Sequence, residues 1–440
     1  MSFLFVDPPS PPGFVAFRHA HGGFGEMCRA SRLKTPTLDL FHAASLILER
    51  GGKAGVLDSV LNGDGPRECV SKILARRPST AVFRTASGSL PSDLSVAELL
   101  KSSGFAGRIV FYGPQAAIEA ERLLASPAVD AALAGAEAAP FLRAFREGNF
   151  DRVPGAAVKR GGRIFRNAPA PRPEDLDALP VPRWDLVDYR RYSFVTSQTS
   201  WGCPYRCGYC SYPVTQGARW RTRSVEGVVA EFQALAVRYG LKFVLLRDPE
   251  FTLERERTEK LCRALIASGV PITWGCETRL DTLDAELLAL MAEAGCLRVA
   301  FGVESVEPRA LRAMGRRPLD RADARRKVAA MKRLGMLTYA MYIIGLPGET
   351  EASTRDMIDF ALELDTNAAS FSMATPFPGT RLAERSRRLG LVSAPDPEHL
   401  TGSMPSLSLP GLSAAAAERH YLSAKDRWEK RGSKETTNVR

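Results

Sequence analysis

A chain of 440 residues, 45% of them hydrophobic, can bury one large core and is expected to make a soluble protein of two domains. No apolar run approaches the roughly 20 residues of a bilayer-crossing helix, and the first residues carry neither a basic leader nor a small-residue cleavage site, so neither an integral membrane protein nor a secreted one is expected. The net charge of +11 would suit an anionic partner, but the arginines are dispersed and their densest groups, 316–326 and 385–388, lie among acids, so nucleic acid is not the expected partner.

The first 150 residues alternate short apolar runs with helical patterns. Residues 3–6 read as a strand ending in Asp7-Pro8-Pro9, 38–50 as a helix closed by Gly51-Gly52, and 54–60 as a second strand. A helix at 66–76, a strand at 80–85 and a helix at 92–103 follow, then a strand at 108–112 running into Gly113-Pro114, a helix at 116–125 and a strand at 129–134 ending in Gly135. Five strands separated by helices imply an α/β fold with a doubly wound, Rossmann-like parallel sheet over residues 1–150, because parallel neighbours need crossovers that place helices on both faces. Ligands of such sheets sit at the carboxyl ends of the strands.

Residues 151–194 are rich in proline and charge and read as a linker, with Trp184 packed on a neighbour. A second alternating region, 195–389, carries strands at 195–199, 243–247, 272–277, 298–303, 338–344 and 370–375. Six strands in that rhythm make a partial β/α barrel with its chemistry on the loops after the strands. Residues 390–440 read as a helical lid over the barrel mouth followed by a frayed basic tail.

Three of the eight cysteines fall within eight residues, in Cys203-Pro204-Tyr205-Arg206-Cys207-Gly208-Tyr209-Cys210, directly after the first barrel strand. Intervals of three and two residues let one loop wrap three thiolates around an iron-sulfur cubane, which leaves one iron open for chemistry. A zinc knuckle would need a fourth Cys or His nearby, and the nearest histidines, His42 and His399, are far off in sequence. Cys28, Cys69, Cys262, Cys276 and Cys296 are scattered and read as small buried hydrophobes, a usage that fits a reducing compartment, the cytoplasm.

This cysteine spacing, with Tyr209 just before the third thiol, resembles the signature of the radical S-adenosylmethionine (SAM) superfamily, and the resemblance covers residues 195 to about 389. It implies a 4Fe-4S cluster on Cys203, Cys207 and Cys210 whose open iron chelates the amino and carboxylate groups of SAM. It also implies an external one-electron donor of the flavodoxin or ferredoxin type, whose electron cleaves SAM to a 5'-deoxyadenosyl radical. Asp248, in Arg247-Asp248-Pro249-Glu250, stands where the family contacts the methionine amino group, although the common Gly-Gly-Glu form is absent. Glu277 and Arg279 suit the ribose or the methionine carboxylate, Glu304 and Ser305 resemble the family's acidic strand end, and Ile344, before Gly345-Leu346-Pro347-Gly348-Glu349, resembles the adenine-side loop.

The front region is similar to the cobalamin-binding Rossmann domain of the class B methylase-like subgroup. This resemblance implies a corrin and its nucleotide tail against the small strand-end residues Thr85, Ser87, Gly113 and Gly135-Ala136-Glu137. The Asp-x-His-x-x-Gly signature is absent; His19 and His21 are alternative cobalt ligands, though a glycine-rich surface or substrate loop is the preferred reading of their segment. The expected activity is cobalamin-dependent methylation of an unactivated carbon or phosphorus in a small-molecule, lipid or natural-product substrate. Radical cyclisation, oxidation or rearrangement is the alternative, and tRNA modification a more distant one, since the segment after residue 389 is short and alanine-rich.

Overall fold

The apolar run Phe3-Leu4-Phe5-Val6 is buried throughout, as a strand is when helices cover both faces of a parallel sheet. In this computed structural model, which describes residues 1–29, 31–135 and 138–432, that run is β1 (Ser2–Asp7), in a unit spanning Met1–Val195. Next come a hairpin of β2 (Val15–Phe17) and β3 (Glu26–Cys28), then β4 (Lys53–Asp58), β5 (Thr80–Arg84), β6 (Arg108–Tyr112), β7 (Ala131–Leu133), β8 (Ala156–Arg160) and β9 (Arg163–Arg166). The sheet order is β4-β1-β5-β6-β7-β8-β9, parallel from β4 to β7 and antiparallel beyond. Its core holds the stacked rings of Phe83 and Phe111, 5.7 Å apart, with Ile73, Leu100 and Leu123 from the covering helices.

Three features of this unit differ from the sequence reading. Residues 156–166, taken as linker, extend the sheet, because Ala156, Ala157 and Val158 are buried and Gly161 and Gly162, both at positive φ, close the tight hairpin between β8 and β9. The second strand stops at Asp58, whose carboxylate takes the Leu61 N–H at 2.6 Å and starts a short helix, Ser59–Asn62. The helix expected at 116–125 is two, Pro114–Ile118 and Ala120–Ala125, broken at Glu119.

The unit Thr196–Arg440 is built on β10 (Val195–Ser197), a small ribbon of β11 (Ser200–Trp201) and β12 (Arg221–Thr222), β13 (Phe243–Leu246), β14 (Thr273–Thr278), β15 (Cys296–Glu304), β16 (Leu337–Ile344) and β17 (Ala368–Met373). The sheet runs β10-β13-β14-β15-β16-β17, in chain order, as a partial β/α barrel requires. β16 shows its two faces plainly: Thr338, Ala340, Tyr342 and Ile344 are buried, whereas Tyr339, Met341 and Ile343 are half-buried and line the concave side.

The C-terminal helix is longer than its alanine run, Ala414–Lys430, and packs on β16, β17 and the helix Glu351–Glu363. It covers the flank of the last strands, and the expected lid is not this helix. The coil before it turns inward at the strand ends, where Leu407 joins Met314, Leu346, Ala374 and Leu382 in one apolar cluster. Residues 433–440 of the basic tail lie outside the described residues. No helix among the described residues is long and apolar enough to cross a membrane.

Candidate active site

The cysteine loop leaves β11, which the antiparallel pairing of Ser200 with Thr222 and Trp201 with Arg221 holds in place. Gly202 has φ +81°, and a Cβ there would lie 2.2 Å from the Arg219 carbonyl oxygen, so only glycine lets the chain turn into the loop. The Cys203 N–H donates to the Gly217 carbonyl at 3.0 Å, the Gly208 N–H to Met314 at 2.7 Å, and the Gly208 carbonyl accepts from the Leu382 N–H at 2.8 Å. Both the base and the tip of the loop are thereby pinned.

Cys203 is buried, and Cys207 and Cys210 are half-buried. Burial pushes the Cys203 thiol up to about 11 and the Cys210 thiol higher still, so holding thiolates here calls for positive charge or metal. Arg279 brings positive charge: its Nη1 is 3.8 Å from Cys207 Sγ, its guanidinium lies 4.3 Å from the Tyr205 ring centre, and Asp281 holds its other edge at 2.8 and 2.5 Å. The three thiols share one pinned loop, as thiolates that each bind one iron of a cluster would require.

Two carboxylates complete the rim. Glu250, just past β13, is buried and accepts from Thr278 Oγ1 at 2.7 Å, Thr252 Oγ1 at 3.1 Å and the Arg279 N–H at 3.3 Å, and its charge is felt at Cys203. Glu304 ends β15 with φ +66°, a conformation that costs a non-glycine residue on the order of 1–3 kcal/mol. Its carboxylate folds back over Gly302, where a Cβ would sit 2.0 Å from Oε1, and pairs with Arg316 at 3.1 Å. Arg316 also donates to the Tyr209 hydroxyl at 3.1 Å, which ties the cysteine loop to the end of β15. A cavity of about 120 Å³ opens beside this group, lined by Arg279, Gly302, Arg316 and Leu311 among others.

The Radical SAM superfamily profile matches residues 198–361. An uncharacterised methyltransferase of Pyrococcus horikoshii is 31% identical over 79% of this chain and 78% of its own length. This chain belongs to the radical SAM superfamily. An anaerobic magnesium-protoporphyrin IX monomethyl ester cyclase of Synechocystis is 27% identical over 83% of this chain and 72% of that protein. Among solved structures, the radical SAM methyltransferase TsrM of Kitasatospora setae, described with cobalamin and a [4Fe-4S] cluster, has a TM-score of 0.72 at 20% identity over 98% of this chain and 89% of that one, which makes the fold a shared one.

The radical SAM rim gathers Cys203, Cys207, Cys210, Tyr209, Arg279 and Glu304, all named from the sequence. Glu277 lies deeper, on the concave face of β14, in an ion pair with Arg247. Three other residues take different roles from those expected. Asp248 is fully buried and committed to the Thr199 N–H, Thr199 Oγ1 and Ser200 Oγ at 2.6–2.7 Å, so it clamps the segment leading to the cysteine loop. Ser305 is fully buried and donates to Glu349, whose other oxygen takes the Gly345 and Leu346 N–H groups; burial pushes that carboxyl up to about 7. Ile344 faces the helix side of β16, and by the two-residue period of a strand its neighbour Ile343 is the one that, like Tyr209, packs against the apolar cluster of Met314, Leu346 and Leu382. Glu250, Arg316 and Glu349 were absent from the expected set of contacts; the signal for Glu250 was its place as the third residue after Arg247, where the strand was expected to end.

In the first unit the residues named for cobalamin are closed from within. Thr85 donates to Asp93 at 2.8 Å, Ser87 to Gln115 at 3.0 Å, and a Cβ on Gly113 would lie 2.1 Å from Arg84 Nη1. Gly135 is half-buried at φ +98°, and Ala136 and Glu137 lie outside the described residues. The glycine-rich loop after β1 is not a surface loop: Gly22, Gly23, Phe24 and Gly25 are buried, with the Phe24 carbonyl accepting the Ser87 N–H at 2.9 Å. His19 and His21 are half-buried in it. The side chains of Thr85 and Ser87 therefore do not fit as a corrin seat. Cys276 faces away from the concave side, beside Cys296.

Proposed function

We propose that this enzyme is a radical SAM methyltransferase acting on an unactivated carbon, or a phosphorus, of a small molecule. The observation that supports the reading is the rim around the three thiols, where Glu250 would offer a carboxylate to the methionine ammonium of SAM, Arg279 a guanidinium to its carboxylate and Glu304 an acceptor to the ribose hydroxyls. Gly345 and Leu346, anchored by Glu349, shape the adenine side. When bound, the cluster supplies the electron that cleaves the SAM sulfonium; the protein holds the pieces in register and keeps water out.

The methyl-transfer reading draws on the Pyrococcus relative, whose alignment spans most of this chain and whose name is that of a methyltransferase. Cobalamin enters by fold alone, through the likeness to TsrM, and its seat is proposed on the first unit at residues other than Thr85 and Ser87. The cyclase of Synechocystis supports a second reading, in which the deoxyadenosyl radical acts without methyl transfer. An acidic flavodoxin- or ferredoxin-type donor is the proposed reductant, supported by the arginines packed around the outside of the cysteine loop: Arg381 bonds the Arg206 carbonyl and Arg385 the Ala313 carbonyl.

The test is anaerobic reconstitution with iron, sulfide and hydroxocobalamin, followed by reductant and SAM carrying a deuterated methyl group. Four irons, 5'-deoxyadenosine, retained corrin and deuterium in the product are expected. Deoxyadenosine without deuterium transfer would favour the second reading, and no deoxyadenosine would overturn both.

A further inference from the structure

The three thiols of the loop meet different surroundings. The Tyr205 N–H acts on the Cys203 sulfur and the Tyr212 N–H on the Cys210 sulfur, so these two receive neutral donors from the loop itself. Both also feel a carboxylate, Glu250 at Cys203 and Glu304 at Cys210. Cys207 has a cation instead. Arg279, just past β14, brings Nη1 to 3.8 Å from the Cys207 sulfur, and the charge of Cys207 is felt at Arg316 as well. The charge of Arg279 reaches Cys203 too, less strongly than that of Glu250. The guanidinium is fixed in place: Nε and Nη2 donate to Asp281 at 2.8 and 2.5 Å, and the ring centre of Tyr205, a residue of the cysteine loop, lies 4.3 Å away. The Arg279 side chain is 10% exposed and that of Asp281 39%, so water screens the carboxylate more than the guanidinium it pairs with.

We propose that Arg279, through the N–H it aims at the Cys207 sulfur, raises the reduction potential of the cluster and so eases the electron transfer that precedes SAM cleavage. The proposal rests on the radical SAM reading above. Reduction adds negative charge to a cluster and its thiolates, so a donor at a ligating sulfur stabilises the reduced state, and hydrogen bonds to the sulfurs are among the levers that set such potentials. A charge-assisted donor is stronger than the neutral backbone donors at Cys203 and Cys210. Glu250 and Glu304 act in the opposite sense, and Arg279 offsets them at the remaining corner of the loop. Arg206 adjoins Cys207 in sequence, but it is exposed and its charge is screened by solvent. Asp281 and Cys207 use part of the guanidinium's donor set, so this role stands beside the one proposed toward the SAM carboxylate.

The test uses the full-length protein reconstituted with iron and sulfide and titrated anaerobically with titanium(III) citrate, the signal of the reduced cluster in electron paramagnetic resonance being read against potential. Each cluster takes one electron, titanium(III) becomes titanium(IV), and no bond forms or breaks. SAM is left out, so that a lost contact to its carboxylate cannot move the reading. Arg279→Gln is expected to lower the midpoint potential by about 59 mV, a tenfold loss in the reduction equilibrium constant, at unchanged iron content. Arg279→Lys keeps the charge without the planar fork and is expected to fall between the two. A midpoint in the glutamine variant equal to that of the parent, or above it, overturns the proposal. If the glutamine variant fails to hold its iron, the lysine variant decides by the same criterion. A parent protein that gives no reducible four-iron signal overturns the radical SAM reading itself; a parent that gives one, with the variants unmoved, overturns the role of Arg279 alone.

Discussion

At the carboxyl end of the first unit's sheet, Arg18 is fully buried and bonds Asp7, Asp93 and the carbonyls of Pro8 and Pro9, while Arg84 bonds Asp39 and the Thr85 and Gly23 carbonyls. At the carboxyl end of the second unit's sheet, Arg279 keeps one edge beside a thiol, Arg247 and Glu277 stay partly exposed, and Glu304 is held in a strained backbone conformation. Both sheets have the parallel topology whose ligands sit beyond the strand ends. The difference is that the pairs of the first unit are sealed inside the fold, whereas those of the second stay partly exposed or lie beside the thiols. Internal satisfaction makes a strand end structural, however well its topology suits a ligand.

The largest expected effect tests the open end. Replacing Cys203, Cys207 or Cys210 by alanine is expected to abolish both iron retention and 5'-deoxyadenosine formation, because a cubane held by two thiolates is not retained. Wild-type iron content in any one variant would remove that cysteine from the ligand set.

Next comes the clamp within the same unit. Asp248→Ala strips an acceptor from three donors around Thr199 and Ser200 and is expected to cost on the order of 3–5 kcal/mol, read from the urea midpoint. If Asp248 were instead a SAM contact, SAM affinity would fall with the midpoint unchanged.

The closed end is probed by Gly25→Ala. At φ +86°, with Ala86 Cβ only 2.4 Å from the new methyl, the substitution is expected to lower stability by roughly 1–3 kcal/mol and to spare SAM cleavage. A neutral result would mean that the loop over Thr85–Ser87 is not packed as described.

The last test is electrostatic and reads a slope with pH. Burial and the neighbouring Asp7 push the Asp58 carboxyl up to about 7, against about 4 in the unfolded chain. The folded state then favours the protonated acid, so the stability present below about pH 4 is lost as pH rises toward 7. Asp58→Asn is expected to flatten the fall in unfolding temperature between pH 5 and 8; an equal slope in both proteins would place the titration elsewhere.

The residue order determined the cluster loop, the two α/β sheets and most strand positions, because these depend on local spacing: three thiols within eight residues, and apolar runs separated by helical patterns. The hairpin of β8 and β9 was also legible, in Gly161-Gly162 between the short apolar runs 156–158 and 164–165, but was masked by the surrounding prolines. Only the tertiary structure decided which polar strand-end residues remain available. Asp248, Ser305, Thr85 and Ser87 look like ligand contacts along the chain, and each is taken up by a partner two to forty-nine residues away. Glu250 gains its meaning from neighbours on other strands, and strand parity separates Ile343 from Ile344. A side chain's chemistry is written in the sequence, but whether its hydrogen-bonding capacity is already spent depends on contacts that form only when distant segments pack.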